Sequence, residues 1–398
     1  MKKEFVLKLT IFDVLCFLIA FLSLSTNLQG ALPFSVNRAI TLLIVEIIVV
    51  HELLHLKSVT YILGLYIIFV FIYSFLWSKD LSQNINDYLY FAIALLEMNF
   101  FADEQNLRKV SSSFKKHRTF ILLIAILDLF VILYSLMDEN CYIVHWGEGE
   151  YFKGYTISPH VVAAGCCLVM TIWILWLSNC TFSFLHFLPL VIILYAILKT
   201  GARVFLVPPL ILVAYYLKNR IKNRNLRWTV YGVGGGAFGY FFINSSMMEK
   251  MIYSAEGLTE ESLLYKFTSG RSKFWMIDIE DYMNNDFIQQ MFGNGFDYIY
   301  NLHLEKYYIA IWAHNDYINI LVACGLVGLL IYIFMTKRVL SPYMKDLDVL
   351  NKMMIVLYVV FPAFINGFYT YYHYFTSLFV FLIVIEMIKD TSERIEIG

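Results

Sequence analysis

The chain has 398 residues, 60% hydrophobic and 15% charged, with a formal net charge of −1. Soluble domains are roughly a quarter charged, so this composition excludes a soluble multidomain enzyme. The near-neutral balance gives no electrostatic basis for a nucleic-acid partner.

At about 20 residues per crossing, the apolar content suffices for about twelve membrane spans. Apolar runs between charged breaks predict an all-α polytopic membrane protein with helices near 8–29, 38–55, 58–77, 88–102, 119–137, 160–178, 184–199, 203–217, 228–244, 315–335, 353–370 and 373–388. Two longer runs are cut, at Ser178-Asn179-Cys180 and near Tyr369–His373, because each exceeds one crossing. The expected organisation is a first group of spans over 1–244, an external loop with short helices over 245–314, and a last group over 315–398.

Lys2 and Lys3 precede the first run, which lacks a small-residue cleavage site and reads as a retained helix. With the N-terminus inside, twenty of the 30 Lys and Arg fall in inside segments, including Arg108, Lys109, Lys115, Lys116 and Arg118, and Lys218, Arg220, Lys222, Arg224 and Arg227. Both termini are therefore expected in the cytoplasm, and 138–159 and 245–314 outside.

The second span ends in His51-Glu52-Leu53-Leu54-His55, the spacing of a zinc-protease helix. No third ligand accompanies it, so interfacial polar residues at a helix end are the preferred reading. Asp13, Glu46, Glu97 and Asp128 lie inside spans, where acids serve either a polar cavity or interhelical hydrogen bonds. Cys16, Cys166, Cys167, Cys180 and Cys324 fall in or beside apolar runs and Cys141 alone in a polar loop, which leaves no disulfide framework. The stretch Gly232–Gly239 contains a G-x-G-x-x-G, but no strand precedes it, and close helix packing is expected instead of a nucleotide.

Three segments converge on the outer side. Thr200-Gly201-Ala202-Arg203 opens the eighth span, Ser269-Gly270-Arg271-Ser272-Lys273-Phe274-Trp275 lies in the long loop, and Ala313-His314-Asn315-Asp316-Tyr317 opens the tenth. Arginine suits bidentate phosphate binding and a near-neutral histidine suits proton abstraction from a hydroxyl, although each alone also reads as an interfacial residue. Phe274, Trp275, Ile277, Ile279 and Tyr282 have helical spacing, Gly293-Asn294-Gly295-Phe296 marks a turn, and Asp278, Glu280 and Asp281 form an acidic group with the chemistry to bind a metal.

These segments, with Cys324-Gly325-Leu326-Val327-Gly328-Leu329 following, resemble the O-antigen polymerase (Wzy-type) and O-antigen ligase superfamily over roughly residues 190–335. The acidic residue expected before the glycine of the tenth span is replaced by Val322-Ala323-Cys324. The resemblance implies a GT-C-like fold and a metal-independent, cofactor-free glycosyltransferase of the bacterial inner membrane. It would polymerise undecaprenyl-pyrophosphate-linked repeat units into O-antigen or capsular polysaccharide at the outer face, with a lipid-linked donor and acceptor and a chain-length regulator as partners. Carried over, Arg203 and Arg271 would hold the pyrophosphate and His314 would activate the acceptor hydroxyl. Lys273, Trp275, Asn315, Asp316 and Tyr317 would contact substrate. A ligase shares this donor chemistry and differs in its acceptor, the lipid A core. A flippase would show internal repeats with paired broken helices, and Pro208-Pro209 has no matching partner.

Overall fold

The computed structural model describes residues 9–32, 35–55, 57–144, 149–180, 184–256, 265, 268, 270–345 and 347–397; Lys2, Lys3 and Ser269 lie outside them. Its helices are α1 (Ile11–Asn27), α2 (Val36–Leu54), α3 (Ser58–Trp77), α4 (Leu81–Phe101), α5 (Glu104–Lys116), α6 (Arg118–Met137), α7 (Pro159–Leu177), α8 (Leu188–Lys199), α9 (Val207–Arg220) and α10 (Arg224–Ile243). Then follow α11 (Ser246–Glu256), α12 (Arg271–Asn284), α13 (Phe287–Phe292), α14 (Tyr298–Tyr307), α15 (Asp316–Met344), α16 (Val349–Ile365) and α17 (Tyr372–Ile397). A small antiparallel hairpin, β1 (Tyr142–Val144) and β2 (Glu150–Phe152), pairs Ile143 with Tyr151.

Every predicted apolar run contains a helix, but the run 353–370 stops at Ile365 and ends in a turn over 366–371, and the run 203–217 opens with a 3-10 turn before α9. Five helices, α3, α6, α7, α15 and α17, are long and apolar enough to cross a membrane, and α1, α8 and α16 are shorter apolar helices. The outward side chains of α3 (Ile62, Leu65, Ile68, Ile72, Leu76) and α6 (Leu123, Leu127, Phe130) are exposed aliphatics and aromatics. Water tolerates such patches poorly, whereas lipid tails match them. α7 and α17 are almost wholly enclosed at the centre and pack on one another.

Between lipid-bathed helices, close contact and hydrogen bonds supply the attraction that apolar burial supplies in water. Gly165 lets α1 approach α7, since a Cβ there would lie 2.9 Å from Asn27 Oδ1. Buried Asp128 of α6 accepts from Ser23 at 2.6 Å and Asn27 at 3.0 Å on α1, and Glu97 of α4 accepts from Tyr372 Oη at 2.8 Å. Each such bond contributes on the order of 1 kcal/mol. Asp13, by contrast, forms a capping box with Thr10 and meets Lys116 and His117, each at 2.9 Å, while Glu46 lies on the exposed face of α2.

Polar contacts collect at the two ends of the bundle. One end carries Lys57 with Asp103, Lys218 with Asp348 at 2.6 Å and Arg108 with Glu386 at 3.3 Å. The segment between α4 and α6, basic and expected as a loop, is the amphipathic helix α5, which buries Leu107, Val110 and Phe114 and exposes Arg108 and Lys109. The His51–His55 motif lies at this end. Glu52 accepts from Thr60 at 2.8 Å and Asn99 at 2.6 Å, Asn99 accepts from Arg338 at 2.7 Å, and the two histidine rings stack at 4.5 Å. These bonds tie four helices together, as polar residues at a helix end do.

The glycines of α10 correct an expectation. Gly232, Gly234, Gly235, Gly236 and Gly239 have nothing within 4 Å of an added Cβ, and no residue of α10 is buried. They mediate no close packing among the described residues.

At the opposite end, two glycine motifs far apart in sequence meet. Gly325 (φ 67°, ψ −171°) breaks α15, and the turn after α13 docks into the break. Asn294 N–H donates to Val322 O at 2.9 Å and Gly295 N–H to Ala323 O at 3.1 Å. A Cβ on Gly325 would sit 2.3 Å from Met291 backbone, and one on Gly293 2.2 Å from Ala323 O, so only glycine fits either strand of this contact. The turn is also held by α4, where Asn84 Oδ1 accepts from Phe296 N at 2.8 Å, and by Asp297, which accepts from Lys79 N at 2.7 Å and Asp80 N at 2.6 Å.

Candidate functional site

The described residues of 245–314, the 200–206 turn and the 366–371 turn gather at this second end. Thr200-Gly201-Ala202-Arg203 lies in the turn before α9. Thr200 Oγ1 donates to Ile197 O at 2.6 Å and accepts from Ala202 N at 3.1 Å. Gly201 takes φ +65°, and its missing Cβ admits the Tyr151 ring at 2.8 Å and Lys250 Cδ at 3.4 Å. Arg203 follows in a 3-10 turn whose Phe205 ring packs on Tyr371 and Tyr374, each at 5.0 Å.

Arg271 opens α12 after left-handed Gly270 and donates from Nη1 to Ile365 O at 2.8 Å, the carbonyl ending α16. Burial pulls its guanidinium down to about 10, helped by the charge of Arg203. Burial likewise lowers Arg203. Lys250 of α11 is drawn down to about 6, first by burial and then by Arg203 and Arg271. Two guanidinium groups, with a lysine whose proton they help to displace, form a centre of positive potential suited to a multiply charged anion, whose arrival would favour recharging Lys250.

His314 stands beside this centre in a left-handed conformation, φ 53°. Its ring packs against Trp312 at 4.7 Å, and Trp312 covers Gly367, where a Cβ would meet it at 2.1 Å. Burial holds His314 well below 6.5, with Arg271 and then His160 adding to the effect while the Asn366 amide opposes it. The imidazole is thus a neutral base. His314 Nδ1 and both polar atoms of the Asn366 amide are buried without a well-formed hydrogen bond among the described residues.

The remaining predicted residues hold the site's frame. Asn315 caps α15, accepting from Tyr317 N at 3.0 Å and Ile318 N at 3.2 Å. Asp316 Oδ2 accepts from Phe368 N at 2.8 Å, Tyr369 N at 3.3 Å and Tyr332 Oη at 3.4 Å, fixing the 366–371 turn. Trp275 is buried and donates from Nε1 to Ala313 O at 2.7 Å. Tyr317 packs on Tyr332 at 6.2 Å, and exposed Lys273 lies over the Tyr265 ring at 4.6 Å. Trp275, Asn315 and Asp316 thus bond within the protein's own frame, while Lys273 stays exposed.

Two of the three acids of α12 have partners, and Glu280 is exposed. Asp278 pairs with His303 at 2.8 Å, and Asp281 accepts from Tyr298 Oη at 2.9 Å. No group of three or more His, Cys, Asp and Glu placed to hold a metal occurs among the described residues. Lys250, His160, Asn366 and Tyr371 join the site without having been singled out in the sequence. Only the turn near Tyr369–His373 hinted at them.

A scan of protein-family models finds no match to this chain, and neither the curated proteins nor the solved structures yield one.

Proposed function

We propose that the chain is a metal-independent glycosyltransferase of about twelve spans and GT-C-like architecture. In this reading it polymerises undecaprenyl-pyrophosphate-linked repeat units at the outer face of the bacterial inner membrane. The observation that supports this reading is the meeting of Arg203, Lys250 and Arg271 with a buried, neutral His314 at one end of the bundle.

The chemistry follows from the charges. The acceptor hydroxyl attacks the anomeric carbon of the donor sugar, a new C–O bond forms, and the bond to the diphosphate breaks. His314 takes the hydroxyl proton and the electron pair departs on the diphosphate oxygen. The guanidinium groups stabilise that developing charge in a water-poor site without reorganising. Sidedness is read from the distribution of Lys and Arg, which puts 218–227 inside and 245–314 outside.

His314→Ala in cells tests the assignment, since it removes the base and leaves the cations. A polymerase so altered yields lipid A core capped by single repeats. Uncapped core with polymer accumulating on its lipid carrier would instead identify a ligase, and an unchanged ladder would remove His314 from the chemistry.

A further inference from the structure

We infer that Asp278 and His303 form a proton-holding latch that positions His314, through the backbone segment Ile311–Ala313, for the reaction proposed above. Both residues are fully buried. His303 Nε2 lies 2.8 Å from Asp278 Oδ1, and Nδ1 lies 2.6 Å from the carbonyl oxygen of Ile311. A carbonyl only accepts, so Nδ1 carries a hydrogen. The contact between Nε2 and the carboxyl then needs a second proton, either on the ring as an imidazolium or on the acid. Without it two lone pairs would face each other. The pair is therefore a unit that keeps one proton in the folded state.

The latch pulls on one place. Asp278 belongs to α12, three residues after Trp275, whose indole donates to Ala313 O at 2.7 Å. Directly through Trp275, and through Asp278 by way of His303 on α14, α12 thus bears on two carbonyls, of Ala313 and Ile311, immediately before His314. The Phe274 ring at 4.8 Å and Tyr307 at 6.4 Å from the imidazole enclose His303. His314 needs such a grip because its φ of 53° is one that a non-glycine side chain adopts at a cost of about 1–3 kcal/mol. Two anchored carbonyls upstream and the Asn315 cap downstream leave the segment no cheaper conformation. The acidic group of α12 then has a use other than a metal.

Asp278→Ala and Asp278→Asn separate this role from simple packing. The asparagine amide can donate to a neutral Nε2 and keep the latch; alanine cannot. His303→Gln, unable to span both partners, is a second removing variant should Asp278→Ala fail to accumulate. Two readouts apply to purified protein in lipid nanodiscs. In the transfer assay, Asp278→Ala is expected to lower kcat by about 100-fold, the scale of a misplaced catalytic group, with donor KM nearly unchanged. Asp278→Asn recovers most of the loss. In 15N-histidine spectra, which need no activity, the His314 ring signals, assigned with His314→Ala, shift in Asp278→Ala and stay in Asp278→Asn. Unmoved His314 signals in both removing variants overturn the latch, as does an asparagine variant no better than alanine. If the spectra behave as expected while wild type transfers no sugar, the latch stands and the glycosyltransferase reading fails.

Discussion

His314 is held unprotonated mainly by burial, and secondarily by the positive charge of Arg271. The sign of the pH dependence follows. A histidine at its ordinary value of 6.5 would gain a proton, and stop abstracting one, as pH fell through that value. Held well below it, the ring stays unprotonated further into acid. The acidic limb of kcat in the transfer reaction is expected clearly below pH 6.5, and a limb at or above it would show that the site does not depress the ring. Arg203, Arg271 and His314 were legible in sequence because charged residues beside membrane spans are costly and invite a reason. Lys250 was not, since a lysine in an amphipathic loop helix needs no explanation until the fold sets it against Gly201. Asn366 and Tyr371 carry no spacing signal at all; their place follows from Asp316 binding the backbone of the 366–371 turn.

Among elements, the broken helix α15 and the turn after α13 are each other's structure. Glycine at 325 adopts a backbone region essentially closed to other residues, and a side chain there would also collide with Met291. Gly325→Ala is expected to destabilise the protein by more than about 3 kcal/mol, strain and overpacking together. Gly236→Ala on α10, with nothing within 4 Å of its Cβ, should be neutral or stabilise by up to about 1 kcal/mol. Thermal unfolding in detergent compares the two, and equal effects would contradict the docking. Both glycine patterns stood out in the sequence, but their roles did not. Hydrophobic periodicity locates α15 and α10, yet it cannot say that one glycine set meets a distant turn and the other meets nothing within 4 Å among the described residues. The helix α5 was missed for a related reason, because its basic face dominates the local composition and hides three buried apolar residues.

At the scale of the molecule, the sequence sorts segments into two ends by their charge. The predicted inner segments carry the Lys57–Asp103, Arg108–Glu386 and Lys218–Asp348 pairs, and the predicted outer segments carry the arginines and His314. That sorting rests on long-range consequences of charge, which a chain records plainly. Which outer residues touch one another is set by turns and caps, which it records poorly. The central claim is that this end holds a lipid-linked diphosphate and moves its glycan. The most direct measurement is chain growth by the purified protein in lipid vesicles, supplied with a polyprenyl-diphosphate oligosaccharide and a chelator, for wild type, Arg203→Ala and Arg271→Ala. The account predicts growth by wild type in the presence of chelator and loss of at least about 100-fold in each variant. Undiminished growth by either variant, or none by wild type until a divalent metal is restored, would contradict it.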